Sequence, residues 1–206
     1  MLCLTHRTSE RWVLAALANL DAVLVDHAHC EMKAASNALS LAVRSSEKPR
    51  VVAELVTLAE EELSHFRRML GELERRGIPL GPPPTDDYAA ELRRAVRAHA
   101  KQHHPDRATF QDALVDRFLV AALIEARSCE RFRILTEALA EKGPADLCAL
   151  YGELLAAEAR HFRTFVDLAR MVAHPDEARI DERLAEVAEL EGEVSSRLLG
   201  AAAIHG

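Results

Sequence analysis

Aromatic residues are scarce in this chain: one Trp, two Tyr and six Phe make up 4% of 206 residues. Glycine and proline are few, eight of each, and they cluster. No segment holds a period of two for long, so no sheet is expected. Cysteine is limited to Cys3, Cys30, Cys129 and Cys148, scattered and without a CxxC pair. That excludes a disulfide framework or a zinc site and leaves free thiols. No run of about eighteen residues is free of charge, which excludes a transmembrane helix and any membrane partner. Residues Met1 to Arg11 lack the basic-then-apolar layout of a signal peptide, so a cytoplasmic location is expected. Positive charge is the minority, 26 Lys and Arg against 33 Asp and Glu, for a net charge of −7. Attraction to nucleic acid must therefore come from a local basic patch.

Alanine, leucine, glutamate and arginine dominate what remains, a mixture that favours helices. Their apolar residues recur at helical spacing in four long segments. The first runs from Ser9 to Ser45, with Leu17, Leu20, Leu24, Ala28, Glu31, Ala35 and Ala38 on one stripe. The second starts near Pro49 and carries Leu55, Leu58, Glu62, Phe66, Met69 and Leu73, until Gly77 and Pro79 stop it. A proline-rich connector follows, and Asp86 is expected to cap a shorter helix from Asp87 to Gln102. The third long helix is predicted from Asp106 to Lys142, with Phe118, Ala122, Glu125, Cys129, Phe132, Thr136 and Leu139 in phase. The fourth spans Ala145 to Ala173, with Leu147, Leu150, Leu154, Glu158, His161, Phe165 and Leu168. An amphipathic segment from Asp176 to Leu199 is expected to pack outside. Two hairpins joined by one long connection make a four-helix bundle with a single crossover. Residues 1–206 are read as a single domain.

A core stripe should be apolar, because burying an unpaired charge is costly. Yet each of the four stripes has a glutamate near its middle. Two also carry a histidine three residues on: Glu62 with His65, and Glu158 with His161. Residues i and i+3 share a helix face, so each pair aims two ligand groups at one spot. Glu31 and Glu125 would come from the other helix of each hairpin. With 22 glutamates and 10 histidines, about one Glu-x-x-His pair is expected by chance, so the signal lies in all six residues together. Four carboxylates and two imidazoles in a bundle core form the ligand pattern of ferritin-like di-iron and di-manganese proteins. Carboxylate with imidazole favours iron or manganese over soft-ligand metals. Glu130 lies five residues beyond Glu125, about 140° around the helix, and stands as a group behind the ligands or as an alternative ligand. Asp21, Asp26 and Asp116 are candidate acceptors for the ligand histidines, while His27 and His29 are read as structural or surface groups.

The run from Asp26 to Ala35, with Glu61-Glu62-Leu63-Ser64-His65-Phe66 and Arg76-Gly77-Ile78-Pro79-Leu80, resembles the tRNA 2-methylthio-isopentenyladenosine hydroxylases, the MiaE family. Ile124 to Phe132 and Glu158-Ala159-Arg160-His161-Phe162 resemble it too, so the likeness covers most of the chain, while the ending Ala203-Ile204-His205-Gly206 departs from it. The resemblance implies an all-α, ferritin-like four-helix bundle with a short helix in the long crossover and a C-terminal helix. It implies two iron ions held by Glu31, Glu62, His65, Glu125, Glu158 and His161. It also implies hydroxylation of an isopentenyl side chain in tRNA with dioxygen as co-substrate. The sequence has no GxGxxG turn or cysteine cluster, so a separate reductase or ferredoxin is expected as electron donor. For tRNA contact the densest basic stretch is Arg93, Arg94, Arg97 and Lys101, with Arg67, Arg68, Arg75 and Arg76 as the second choice. The rival readings are a ferritin-like iron-binding or ferroxidase protein, a peroxidase, and a metal-free helical interaction protein.

Overall fold

Ser9 opens the first helix by accepting from the Trp12 N–H, and Asn19 ends it. The computed structural model describes residues 2–83, 87–107 and 109–198. Within them the chain forms α1 (Glu10–Ala18), α2 (Leu20–Arg44), α3 (Pro49–Arg76), α4 (Asp87–His103), α5 (Phe110–Lys142), α6 (Ala145–Ala173) and α7 (Ala178–Arg197). The described residues contain no strand. The expected cap Asp86 and the C-terminal Ala203 to Gly206 lie outside the described residues.

Two boundaries differ from the sequence expectation. The helix predicted from Ser9 to Ser45 is broken at Asn19, and its two parts meet at a 102° bend. Asn19 leaves helical geometry, at φ −143° and ψ 58°, and its side chain accepts from the Ala22 N–H to cap α2. Asparagine is among the best N-caps, so it competes with the apolar period that runs through it. Leu17 accordingly leaves the core stripe and is 36% exposed. The third long helix does not begin at Asp106. Pro105–Arg107 form one 3₁₀ turn, and α5 starts after Thr109, which makes a reciprocal capping box with Asp112.

Other stops follow local chemistry. Gly77 takes φ +68° at the end of α3, and the Ile78 N–H reaches back to the Leu73 carbonyl, the Schellman arrangement. Helices α2 and α3 pack as one hairpin and α5 and α6 as the other, while α4 lies in the crossover and packs with α5 and α7. No single helix among the described residues is long and apolar enough to cross a membrane.

Two apolar clusters fill the bundle. One contains Leu41, Leu55, Phe118, Phe165 and Val172. The other contains Trp12, Leu24, Met69, Phe132, Tyr151 and Leu154. Along each long helix the stripe glutamate falls between the two. The carboxylates are thus held at mid-bundle with low-dielectric packing above and below.

Candidate metal centre

Stripe geometry carries the four glutamates into one buried cluster. Glu31, Glu62, Glu125 and Glu158 are each 5% exposed or less. Two ligand groups form. Glu31, Glu62, His65 and Glu158 make one, and Glu62, Glu125 and His161 the other, with donor atoms in each within 4.8 Å of one another. Glu62 belongs to both. The His65 Nδ1 lies 3.6 Å from Glu31 Oε2 and 3.5 Å from Glu62 Oε2. The His161 Nδ1 lies 2.9 Å from Glu62 Oε1. That contact is close but lacks hydrogen-bond geometry, and both atoms are left without a hydrogen-bond partner.

The donor set fits a pair of divalent cations. Both Glu62 oxygens, Glu158 Oε1 and the Nδ1 atoms of His65 and His161 are buried without hydrogen-bond partners. Buried polar atoms are rarely left so; others occur among the described residues, such as Ser45 Oγ and the Tyr151 hydroxyl, but five sit together here. Protonation tells the same story. Burial and the charges of Glu31 and Glu125 push Glu62 up to about 8. Burial, with Glu125 and Glu31 close by, raises Glu158 well above the carboxylate range. Burial alone would lower the histidines, but Glu31 and Glu62 lift His65 to about 10. Against the same effect, Glu62 and Glu125 lift His161 to about 9. Burial also opposes the charge of Glu31, yet hydrogen bonding to His27 holds it well below its usual value. Without cations the cluster must hold protons to offset four carboxylates. Two divalent ions would balance that charge with both imidazoles neutral.

The groups behind the cluster were only partly foreseen. The His161 Nε2–H donates to Glu61 at 2.9 Å, which leaves Nδ1 facing the cluster. His27, read from sequence as structural or surface, donates from Nε2 to Glu31 at 2.5 Å and is 1% exposed. Of the expected acceptors, Asp116 instead pairs with Arg183, Asp21 is exposed, and Asp26 accepts from Cys30. Glu61 was missed because it follows the helix edge and not the stripe. Its adjacency to Glu62 was the available signal.

A cavity of about 880 Å³ reaches this cluster, within the size range of small-molecule sites, about 300–1,000 Å³. Buried Glu125 lines it together with apolar Val96, Leu114, Val120 and Ile124. Its outer part is basic, with Arg44, Arg93, Arg97, Lys101 and Arg117.

The family profile described as tRNA-(MS2IO6A)-hydroxylase (MiaE) matches residues 1–206. The chain belongs to the MiaE family. Among its curated relatives is a Pseudomonas putida protein named tRNA 2-(methylsulfanyl)-N(6)-isopentenyladenosine(37) hydroxylase. The two are 41% identical, over 89% of this chain and 83% of the relative. A Salmonella typhimurium protein of the same name is 29% identical over 91% of this chain and 81% of its own. A solved structure titled "Protein 43 with aldehyde deformylating oxygenase activity from Synechococcus" superposes with a TM-score of 0.81 at 38% identity. That match covers 98% of this chain and 95% of the other.

Within this MiaE-family chain, Glu130 does not face the cluster. Its Oε2 accepts from the Thr8 hydroxyl at 2.7 Å and from Arg127. Arg127 is fully buried and also donates to Glu191 at 2.9 and 2.7 Å, while the Tyr88 hydroxyl donates to Glu191 at 2.7 Å. This polar knot ties the N-terminal segment, α4, α5 and α7 together. Sequence reasoning missed it because its members come from four distant segments. Arg93, Arg97 and Lys101 line the cavity, whereas Arg94 does not and instead pairs with Glu91. In the second basic stretch, Arg68 pairs with Glu153, and Arg75 and Arg76 pair with Glu72 and Asp146. Much of that charge is already answered.

Proposed function

We propose that this chain is a non-haem di-iron monooxygenase. It hydroxylates the isopentenyl side chain of a 2-methylthio-isopentenyladenosine in tRNA, with dioxygen and electrons from a separate reductase or ferredoxin. The carrying observation is a buried set of unsatisfied carboxylate and imidazole donors at the end of a cavity open to basic residues. The names of the two curated relatives support the substrate. The same donor set counts against a metal-free interaction protein, whose core would have no reason to bury four carboxylates.

In this reading Glu31, Glu62, His65 and Glu158 would hold one iron, and Glu62, Glu125 and His161 would hold the other. When bound, the iron pair supplies the redox chemistry that activates dioxygen. The net reaction takes two electrons and two protons, inserts one oxygen atom into a C–H bond and releases the other as water. The chain's own contribution is geometric and electrostatic. Glu61 fixes the His161 ring through its Nε2–H, so that Nδ1 faces inward. His27 orients Glu31 in the same way. The apolar cavity walls, Val96, Leu114 and Val120, bind the prenyl chain and keep water from the reacting carbon.

The test is an assay of iron-loaded protein with prenylated tRNA, a reductant and isotopically labelled dioxygen. One labelled oxygen atom per hydroxylated base is expected by mass spectrometry. Rapid iron oxidation with no labelled product on any prenylated adenosine would favour a ferroxidase and reject the proposal.

A further inference from the structure

The outer part of the cavity gathers four arginines from three helices. Arg44 is the last residue of α2, Arg93 and Arg97 lie one turn apart on α4, and Arg117 comes from α5. None of the four forms an ion pair among the described residues, in a chain with seven more negative than positive charges. The neighbouring acid Asp116 is already engaged by Arg183 at 2.8 and 2.9 Å. Like charges at this spacing repel, and burial together with Arg44, Arg93 and Arg97 lowers the pKa of Arg117. Elsewhere on this protein some exposed arginines, such as Arg75 and Arg170, are ion-paired, and others, such as Arg67, bond only to a backbone carbonyl; these four stand apart in sharing one cavity. The cluster is therefore complementary to an anion. Beside it, on the first turn of α5, Phe110 lines the same cavity and is 64% exposed. An exposed ring among unpaired arginines matches the recognition of single-stranded RNA, in which arginines hold phosphates and aromatics stack bases.

We infer that Arg44, Arg93, Arg97, Arg117 and Phe110 form a binding site for the backbone and one unstacked base of a single-stranded RNA loop, at the open end of the cavity that ends on Glu125. The inference rests on the tRNA hydroxylase reading and gives its substrate a defined seat. The phosphates flanking the target nucleotide sit on the arginines, a neighbouring base stacks on Phe110, and the prenyl group points down the apolar walls. Arg94, although next to Arg93 in sequence, takes no part.

The experiment measures binding of a fluorescently labelled RNA stem-loop to the full iron-loaded chain across a salt series. It needs no turnover, so its outcome is separate from that of the hydroxylation assay. Each phosphate contact contributes about 0.7–0.9 to the slope of log affinity against log salt. The Arg44→Ala, Arg117→Ala double variant should therefore weaken binding at least about tenfold and flatten the slope by about 1–2. Phe110→Ala should weaken binding about 5- to 150-fold with the slope unchanged. Arg94→Ala should match the parent. Arg117→Lys should recover the slope that Arg117→Ala loses, which separates lost charge from lost folding. Iron content and helicity are read on every variant. Unchanged affinity and slope in the double variant would overturn the site, as would equal affinity for a blunt RNA duplex. If the variants lose binding as expected but the parent hydroxylates no prenylated RNA, the site stands and the reaction assignment falls.

Discussion

Removing the metal should make this protein unusually sensitive to alkali. In the metal-free state Glu62 is raised from 4.5 to about 8, His65 from 6.5 to about 10, and His161 from 6.5 to about 9. Each folded value lies above its unfolded one. The folded state therefore binds more protons than the unfolded state, and stability falls as pH rises towards the folded values. For each such group the slope is about 1.4 kcal/mol per pH unit. Between about pH 7 and 8 all three contribute, giving an upper limit of about 4 kcal/mol per unit, which water entry and relaxation will reduce. Glu31 is ionised in both states there and adds nothing, while Glu158, raised by burial and its carboxylate neighbours, acts in the same direction. A domain stable by about 5–15 kcal/mol cannot lose that much over two pH units without a large drop in melting temperature. Bound divalent ions take the place of the protons, so the loaded protein should show a much flatter profile. The assay is denaturant or thermal unfolding of chelated and iron-loaded protein from neutral to mildly alkaline pH. Parallel profiles for the two forms, or a metal-free protein that grows more stable with pH, would refute the reasoning.

The two glutamates of α5 should separate by assay: Glu125→Ala should lower iron content, whereas Glu130→Ala should spare iron and lower the melting temperature by exposing Arg127 to a lost partner. Arg127→Ala leaves the buried Glu191 without its cation, with the Tyr88 hydroxyl still donating to it, so it should cost about 3–5 kcal/mol in denaturant unfolding, more than any substitution at Arg94. Glu61→Gln should weaken iron affinity about 10- to 100-fold by loosening the His161 ring, measured by competition with a chelator; unchanged affinity would remove Glu61 from the support of the centre.

Much of this architecture was written in the spacing of particular residues. Leu147, Leu150, Leu154, Glu158, His161, Phe165 and Leu168 fall on one face because a helix repeats every 3.6 residues, and every one of them is buried. The same periodicity singled out Glu31, Glu62 and Glu125, since a carboxylate on an apolar stripe is costly and therefore conspicuous. Local chemistry overrode periodicity at Asn19 and Thr109. There a side-chain cap satisfies helix ends that an apolar count does not register.

What the sequence alone determined was which faces turn inward, because burial acts on each helix separately. Which groups meet across the bundle was decided only by the tertiary packing. Glu61 reaches His161 from 100 residues away, and Tyr88, Arg127 and Glu191 join α4, α5 and α7. Arg44, Arg93, Arg97 and Arg117 surround one cavity although three helices supply them. Such contacts depend on the axial offset and rotation of helices against one another. Those are set by how the side chains of both partners interlock, not by the period of either helix alone.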